Sequence, residues 1–298
     1  MQITKVKVIE IFYLADEFCQ EFSKTMSQYS LGNVPRKKPR MKDSEVITIL
    51  VLFYLGCFRN FKHFYQEYVQ KHMKDDFTKT VSYNRFVELS YKVCMPMTLF
   101  LKPCCLGQPT GISFVDSTPI RVCKNKRIAR NKVFKGTATT GKSTMGWFYG
   151  FKLHLIINDK GEILNFVITQ ANVDDREPLQ NKKFVNKIKG KLYADKGYLG
   201  QKLGNLLFVD GIHLITSIRN NMKNVLMELK DKILLRKRSV IETVNDELKN
   251  MCQIEHSRHR SFNGFVANTI AALIAYSFFN KKPAIKFQEE SSNQIVLF

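Results

Sequence analysis

Gly111-Ile112-Ser113-Phe114-Val115-Asp116 is a short apolar run that stops on a carboxylate, and Leu192-Tyr193-Ala194-Asp195 is a second run of the same kind. Short runs of this composition, bounded by turn residues, read as buried strands. Between them lie Trp147 to Ile157 and Ile163 to Thr169, joined by Asn158-Asp159-Lys160-Gly161. That junction reads as a hairpin turn in which Gly161 supplies the positive φ. Arg176 to Ile188 then reads as a helix, Lys191 to Ala194 as the fourth strand and Tyr198 to Val209 as another helix. Ile212 to Ile218 reads as the fifth strand, Val225 to Met251 as largely helical, and Phe265 to Phe279 as a last buried helix.

Three strands, helix, strand, helix, strand, long helix is the order that a ribonuclease H-like α/β fold requires: a mixed sheet flanked by helices. The expected domain spans residues 111–282, with 283–298 as a C-terminal tail. Residues 1–105 read as helical. Asp43 and Ser44 can cap a helix running from Val46 to Phe58, and further helical segments follow at Phe61 to Met73 and Tyr83 to Val93. Arg36, Lys37, Lys38, Arg40 and Lys42 precede the first of these. Short helices with a basic lead-in suit a DNA-binding domain of helix-turn-helix type. A helical cap that only packs on the rest is the alternative. Lys102 to Gly111, rich in Pro and Gly, is the expected linker.

The chain has 298 residues, with 47 Lys+Arg against 26 Asp+Glu, a formal charge of +21. Such a balance favours a polyanionic partner, either nucleic acid or an anionic membrane. The longest apolar stretches, Val46 to Phe58 and Phe265 to Phe279, fall short of the ~20 residues that span a bilayer. No membrane partner is expected. The seven cysteines form no C-x-x-C pair. That pattern favours reduced thiols in a cytoplasmic protein over a structural zinc site.

Phosphodiester cleavage requires an in-line nucleophile and a stabilised leaving oxygen, which two carboxylate-held divalent ions can provide. Asp116, Asp195 and Glu242 supply oxygen ligands of the kind Mg²⁺ prefers. Arg238, Glu242, Asp246 and Lys249 fall at i, i+4, i+8 and i+11, on one helix face. The face could hold a metal while its cations meet phosphates. It could equally be a solvated face with ordinary ion pairs. From Ser117 to Asn158 there is no acidic residue, yet Arg121, Lys124, Lys126, Arg127, Arg130, Lys132, Lys135, Lys142 and Lys152 are present. Nine cations without a counter-charge read as a loop that tracks phosphates.

The C-terminal two-thirds resembles bacterial insertion-sequence transposases of the DDE type. Their glutamate region is commonly written Tyr, two residues, Arg, three residues, Glu, six residues, Lys. Arg238, Glu242 and Lys249 match it, and Leu235 stands where the family has Tyr. Val115-Asp116-Ser117-Thr118 and Tyr193-Ala194-Asp195-Lys196-Gly197-Tyr198 resemble the two aspartate motifs. The resemblance implies that Asp116, Asp195 and Glu242 hold two Mg²⁺ ions, with Mn²⁺ as a substitute. Water would free a 3′-hydroxyl at the ends of the mobile element, and that hydroxyl would attack target DNA. Arg238 and Lys249 would steady the double-stranded DNA, and a homodimer would handle two ends together in the cytoplasm, at the nucleoid. A nuclease that never rejoins strands, or a non-catalytic DNA-binding descendant, are the alternatives.

Other signals read as structural. Gly136 to Ser143 fits G-x-x-x-x-G-K-[ST], but strand-like aromatic sequence follows where a phosphate-binding loop needs a helix. Asp174 and Asp175 compete for the second ligand position but read as caps of the following helix, and Glu247 competes with Glu242 but reads as turned away from that face. His154 reads as a hydrogen-bonded structural residue and Trp147 as core. His256, Arg258, His259 and Arg260 form a basic cluster open to DNA contact or to plain exposure.

Overall fold

The computed structural model describes residues 3–29, 39–217, 226–255 and 259–286. Arg36, Lys37, Lys38, Ile218, Val225, His256, Arg258 and the tail from 287 onward lie outside the described residues.

Helices α1 (Lys5–Ser27) and α2 (Asp43–Leu55) lead the chain. A helical stretch follows, made of α3 (Phe61–His63), a π-helical segment (Phe64–Val69) and α4 (Gln70–His72). Helices α5 (Tyr83–Lys92) and α6 (Cys94–Cys104) complete this half. Lys102 and Pro103, expected in a linker, therefore close a helix. In α2, Glu45 accepts from the Lys42 backbone N–H at 2.7 Å, and every residue from Val46 onward is buried. A helix apolar on all sides belongs in a core, so α2 has no free face to offer a DNA groove.

Strands β1 (Ile112–Cys123), β2 (Thr139–Ser143), β3 (Gly146–Asn158), β4 (Ile163–Gln170), β5 (Gly190–Ala194) and β6 (Ile212–Thr216) form one sheet. The order is β2-β3-β1-β5-β6, and β4 pairs with β3 on the same side as β2. β1 runs antiparallel to β3 and parallel to β5, and β5 runs parallel to β6. This mixed sheet flanked by helices, with a helical N-terminal region, is the expected α/β class. Gly161 makes the β3–β4 turn at φ +72°, and a Cβ there would lie 2.0 Å from the Pro283 carbonyl oxygen.

Helices α7 (Lys182–Val185) and α8 (Gln201–Val209) supply Phe184, Val185, Leu203 and Leu207 to a cluster with Val115, Ile156 and Leu192. On the opposite sheet face, Phe114, Leu155 and Tyr193 join a larger cluster. That cluster takes in α1, α2, α10 (Ser239–Asn250) and α11 (Phe262–Ser277). Alternation along each strand assigns neighbours to opposite layers. One continuous core thus joins the N-terminal helices to the α10–α11 side of the sheet.

The expected elements need four corrections. β1 does not end at Asp116 but continues to Cys123, held by β3. β2 was not expected from its sequence, which has no apolar alternation; it exists because β3 offers a free edge. Residues 176–188 form no continuous helix, only a 3₁₀ turn (Pro178–Gln180) and four-residue α7. The long helix of 225–251 is two helices, α9 (Leu229–Arg236) and α10, which break at Lys237 and Arg238.

Candidate active site

Asp116 lies on β1, five residues into the strand. The parallel ladder between β1 and β5 pairs Ile112 with Lys191, Ser113 with Leu192 and Phe114 with Tyr193. Asp116 and Asp195 each follow the last pair by two residues. Counted on from the Phe114–Tyr193 pair, Asp116 on β1 is level with Asp195, which directly follows the end of β5 at Ala194. The two rings of that pair stack at 5.4 Å between centroids, 27° from parallel. β5 is further fixed by Tyr193, which donates its hydroxyl to Asp231 at 2.7 Å, and by Lys191, which donates to the same carboxylate at 2.8 Å.

Glu242 comes from α10, which packs on β1. Its neighbour one turn on, Asn245, donates Nδ2–H to Asp116 Oδ2 at 3.1 Å. Arg238 donates to Glu242 Oε1 at 2.7 Å and also lowers the pKa of Asp116. Burial is the stronger influence and pushes Asp116 up to about 6; the Glu242 and Asp175 charges push the same way, against the Ser117 backbone N–H and Arg238. Glu242 remains about half exposed, turned to Arg238. Among the described residues, no three carboxylate, imidazole or thiol groups already stand at metal-coordinating spacing. Asp195, in turn, accepts at its backbone carbonyl from the Tyr198 N–H at 2.9 Å, which closes the turn after β5.

Asp175 corrects the capping expectation. Ser117 Oγ donates to it at 2.9 Å and Lys152 Nζ donates at 2.9 Å, so it faces the Asp116 neighbourhood. Asp174 alone shapes the turn: it accepts from the Arg176 backbone N–H at 2.9 Å and grips the guanidinium, which holds its carboxyl down at about 2. Lys152 is consequently no part of a surface phosphate track; its side chain is only 13% exposed and its ammonium donates to Asp175 and to the Val173 carbonyl. Tyr198 is buried beside Ser117 and the Asp116 and Asp175 charges. Burial first, then those charges, raises its pKa well above the phenol value.

Lys124, Lys126, Arg127, Arg130, Lys132, Lys135 and Lys142 are exposed, several on the 3₁₀ segment Asn125–Arg130. Arg121 and Lys249 instead converge on Glu255, each at 3.9 Å. Leu235 is half-buried against the core. His154 is structural as expected: it is buried against Thr169 at 2.8 Å and held neutral, near 4, chiefly by desolvation. His259 is likewise held near 4 by burial and packs edge-on against Phe265, so it adds no charge to its cluster. Glu247 points away, toward Lys282, with its carboxyl raised by burial. Residues 139–143 form β2 rather than a phosphate-binding loop. Trp147, expected in the core, is 62% exposed.

Two members of the site had a trace in the sequence. Asn245 is a polar residue on the buried stripe Ile241, Val244, Leu248 of α10. Ser117 follows Asp116 directly. The Ser117–Asp175–Lys152 link had none, since it joins residues within β1 and β3 to the segment after β4 by tertiary packing alone.

The family model described as Transposase DDE domain matches residues 106–262. No match was found among curated proteins. Among solved structures, the chain is similar to a piggyBac transposase in a synaptic complex with hairpin DNA, at 12% identity and a TM-score of 0.46. That likeness covers 90% of this chain and 71% of the other.

Proposed function

The chain belongs to the transposase DDE-domain family, whose model matches more than half of its length; on that premise we propose that it cleaves DNA at the ends of a mobile element and joins the freed end to target DNA. The observation that supports this reading is the register that aligns Asp116 on β1 with Asp195 just past the end of β5, with Asn245 tying the Glu242 helix to Asp116.

The donor set fits a pair of hard divalent ions. Asp116, Asp195 and Glu242 offer only oxygens, and Asp116 is already crowded by Glu242 and Asp175, a like-charge repulsion that a cation relieves. Bound there, two Mg²⁺ or Mn²⁺ ions would activate the attacking oxygen and stabilise the leaving one. Glu242 sits on a surface helix turn and can exchange Arg238 for such a ligand by a side-chain rotation. Arg238, once released, stands beside the site as a phosphate contact. Asn245 fixes the rotamer of Asp116. Lys152 and Ser117 hold Asp175 against the same strand, which keeps a fourth negative charge beside the reacting phosphate in check. The exposed cations from Lys124 to Lys142 extend from this centre as a track for a duplex backbone. Two copies are expected to act together, one on each element end.

The test is strand transfer. Short inverted repeats bracketing the coding region supply the substrate, once as an intact end and once pre-cut with a 3′-hydroxyl. Joining of the pre-cut end in Mg²⁺ supports the reading. Cutting without joining would reduce the protein to a nuclease, and binding without either would make it a DNA-binding protein.

A further inference from the structure

We propose that Trp147 is a base-stacking contact for DNA, placed on the β2–β3 hairpin at the outer end of the basic track. The inference rests on the DNA reading above. Trp147 is the single tryptophan of the chain and is 62% exposed. Met145, two residues before it, is 82% exposed. A large aromatic ring left in water forfeits the burial that normally justifies it. The ring is also on an ordered element: Lys142 is its cross-strand partner, and Phe148 beside it is buried on the opposite face.

The surroundings name the occupant. Lys142 lies directly opposite Trp147 and is exposed. Asn125 donates Nδ2–H to the Trp147 carbonyl at 2.9 Å, which brings the segment carrying Lys126, Arg127 and Arg130 against the hairpin. No acidic residue occurs between Ser117 and Asn158. An exposed aromatic face beside these cations, in a segment that holds no carboxylate, matches a nucleic-acid strand: phosphates meet the lysines and arginines, and a base meets the ring. An apolar protein partner would gain nothing from the surrounding charge. Asp116 pairs with Leu155 on β3, eight residues further along. At ~3.3 Å per residue this places Trp147 about 26 Å from the carboxylates along the strand. The ring therefore stacks on an unpaired base of a strand that is engaged at the active centre, away from the phosphate being cut.

Because the chain has one tryptophan, its emission reports this contact alone. Fluorescein-labelled DNA carrying a single-stranded overhang, with the fully paired duplex as control, is titrated into the protein while anisotropy and tryptophan emission are recorded together. Stacking predicts quenching of Trp147 that saturates with the anisotropy, and loss of acrylamide access to the ring. Trp147→Ala should weaken binding about tenfold, in line with the value of one stacked base, at every salt concentration, while Trp147→Phe keeps most of the affinity. The slope of affinity against salt should stay unchanged in both variants, because no cation is removed. Binding without any quenching, or an Ala variant that binds as the parent does, overturns the inference and leaves the DNA reading standing. Absence of any anisotropy change overturns both.

Discussion

Asn245 on α10 donates a hydrogen bond to Asp116 on β1 at 3.1 Å, across 129 residues of sequence. It is the direct link between the helix that carries Glu242 and the strand that carries the first aspartate. The Asn245 Oδ1 atom is buried without a partner, so the amide is held there for the sake of its donor.

Asn245→Leu should therefore loosen the site more than the fold. The change removes one hydrogen bond to a charged acceptor and an orphaned oxygen together. We expect a stability change within about 1.5 kcal/mol in either direction and a loss of Mg²⁺-dependent cleavage of at least tenfold. Thermal melts and cleavage rates measured on the same preparation check both halves.

The metal-free protein should lose stability as pH rises through the acid range. Burial raises Asp116 to about 6 from the ordinary 3.8. Between those values the folded state holds a proton that the unfolded chain has released, so unfolding free energy falls from about pH 4 to about pH 6 and is level above. Asp116→Asn removes this penalty. At pH 7 without divalent ions it should raise stability by roughly 1–3 kcal/mol, and near pH 4 the difference should vanish. Equal stability of the two proteins at pH 7 would show that Asp116 is not strained.

Lys152→Met should uncover the Asp175 charge. The pair is bonded at 2.9 Å, with Asp175 39% exposed, so solvent screens part of the loss. We expect about 1–2 kcal/mol of destabilisation, below the range for fully buried pairs. The double variant with Asp175→Asn should recover most of it, as urea midpoints would reveal.

Affinity for duplex DNA should fall steeply with salt. Removal of any one of Lys124, Lys126, Arg127 or Lys142 should lower the logarithmic slope by about 1. Removal of Lys152, which faces inward, should leave the slope unaltered.

Much of this arrangement could be read from the chain, and the exceptions share a cause. β1, β3, β4, β5, β6 and α11 announce themselves by apolar runs and turn glycines, so the order of these elements along the chain was legible. The extension of β1 past Asp116 was not, because Ser117-Thr118-Pro119 carries no apolar run; pairing of Thr118 with Leu153 and of Pro119 with Lys152 on β3 extends the strand. Residues 176–188 carry the spacing of a helix, but Pro178 and Asn181 interrupt it. Trp147 was assigned by residue type, and type cannot report which face of an edge hairpin meets water. Asp175 was assigned by its position after β4, whereas its partners, Ser117 and Lys152, come from other strands. Local pattern gives elements; contacts between distant segments give the site.

The most direct measurement is the rate of Mg²⁺-dependent cleavage of an end-containing duplex by Asp116→Asn, Asp195→Asn and Glu242→Gln, each compared with the parent at matched DNA occupancy. If the three carboxylates share the ions, each variant should bind DNA normally and cut at least about a thousandfold more slowly, the several kcal/mol expected of lost metal assistance. A variant that cuts at the parental rate would remove its residue from the centre and, with it, the convergence of 116, 195 and 242 on one reacting phosphate.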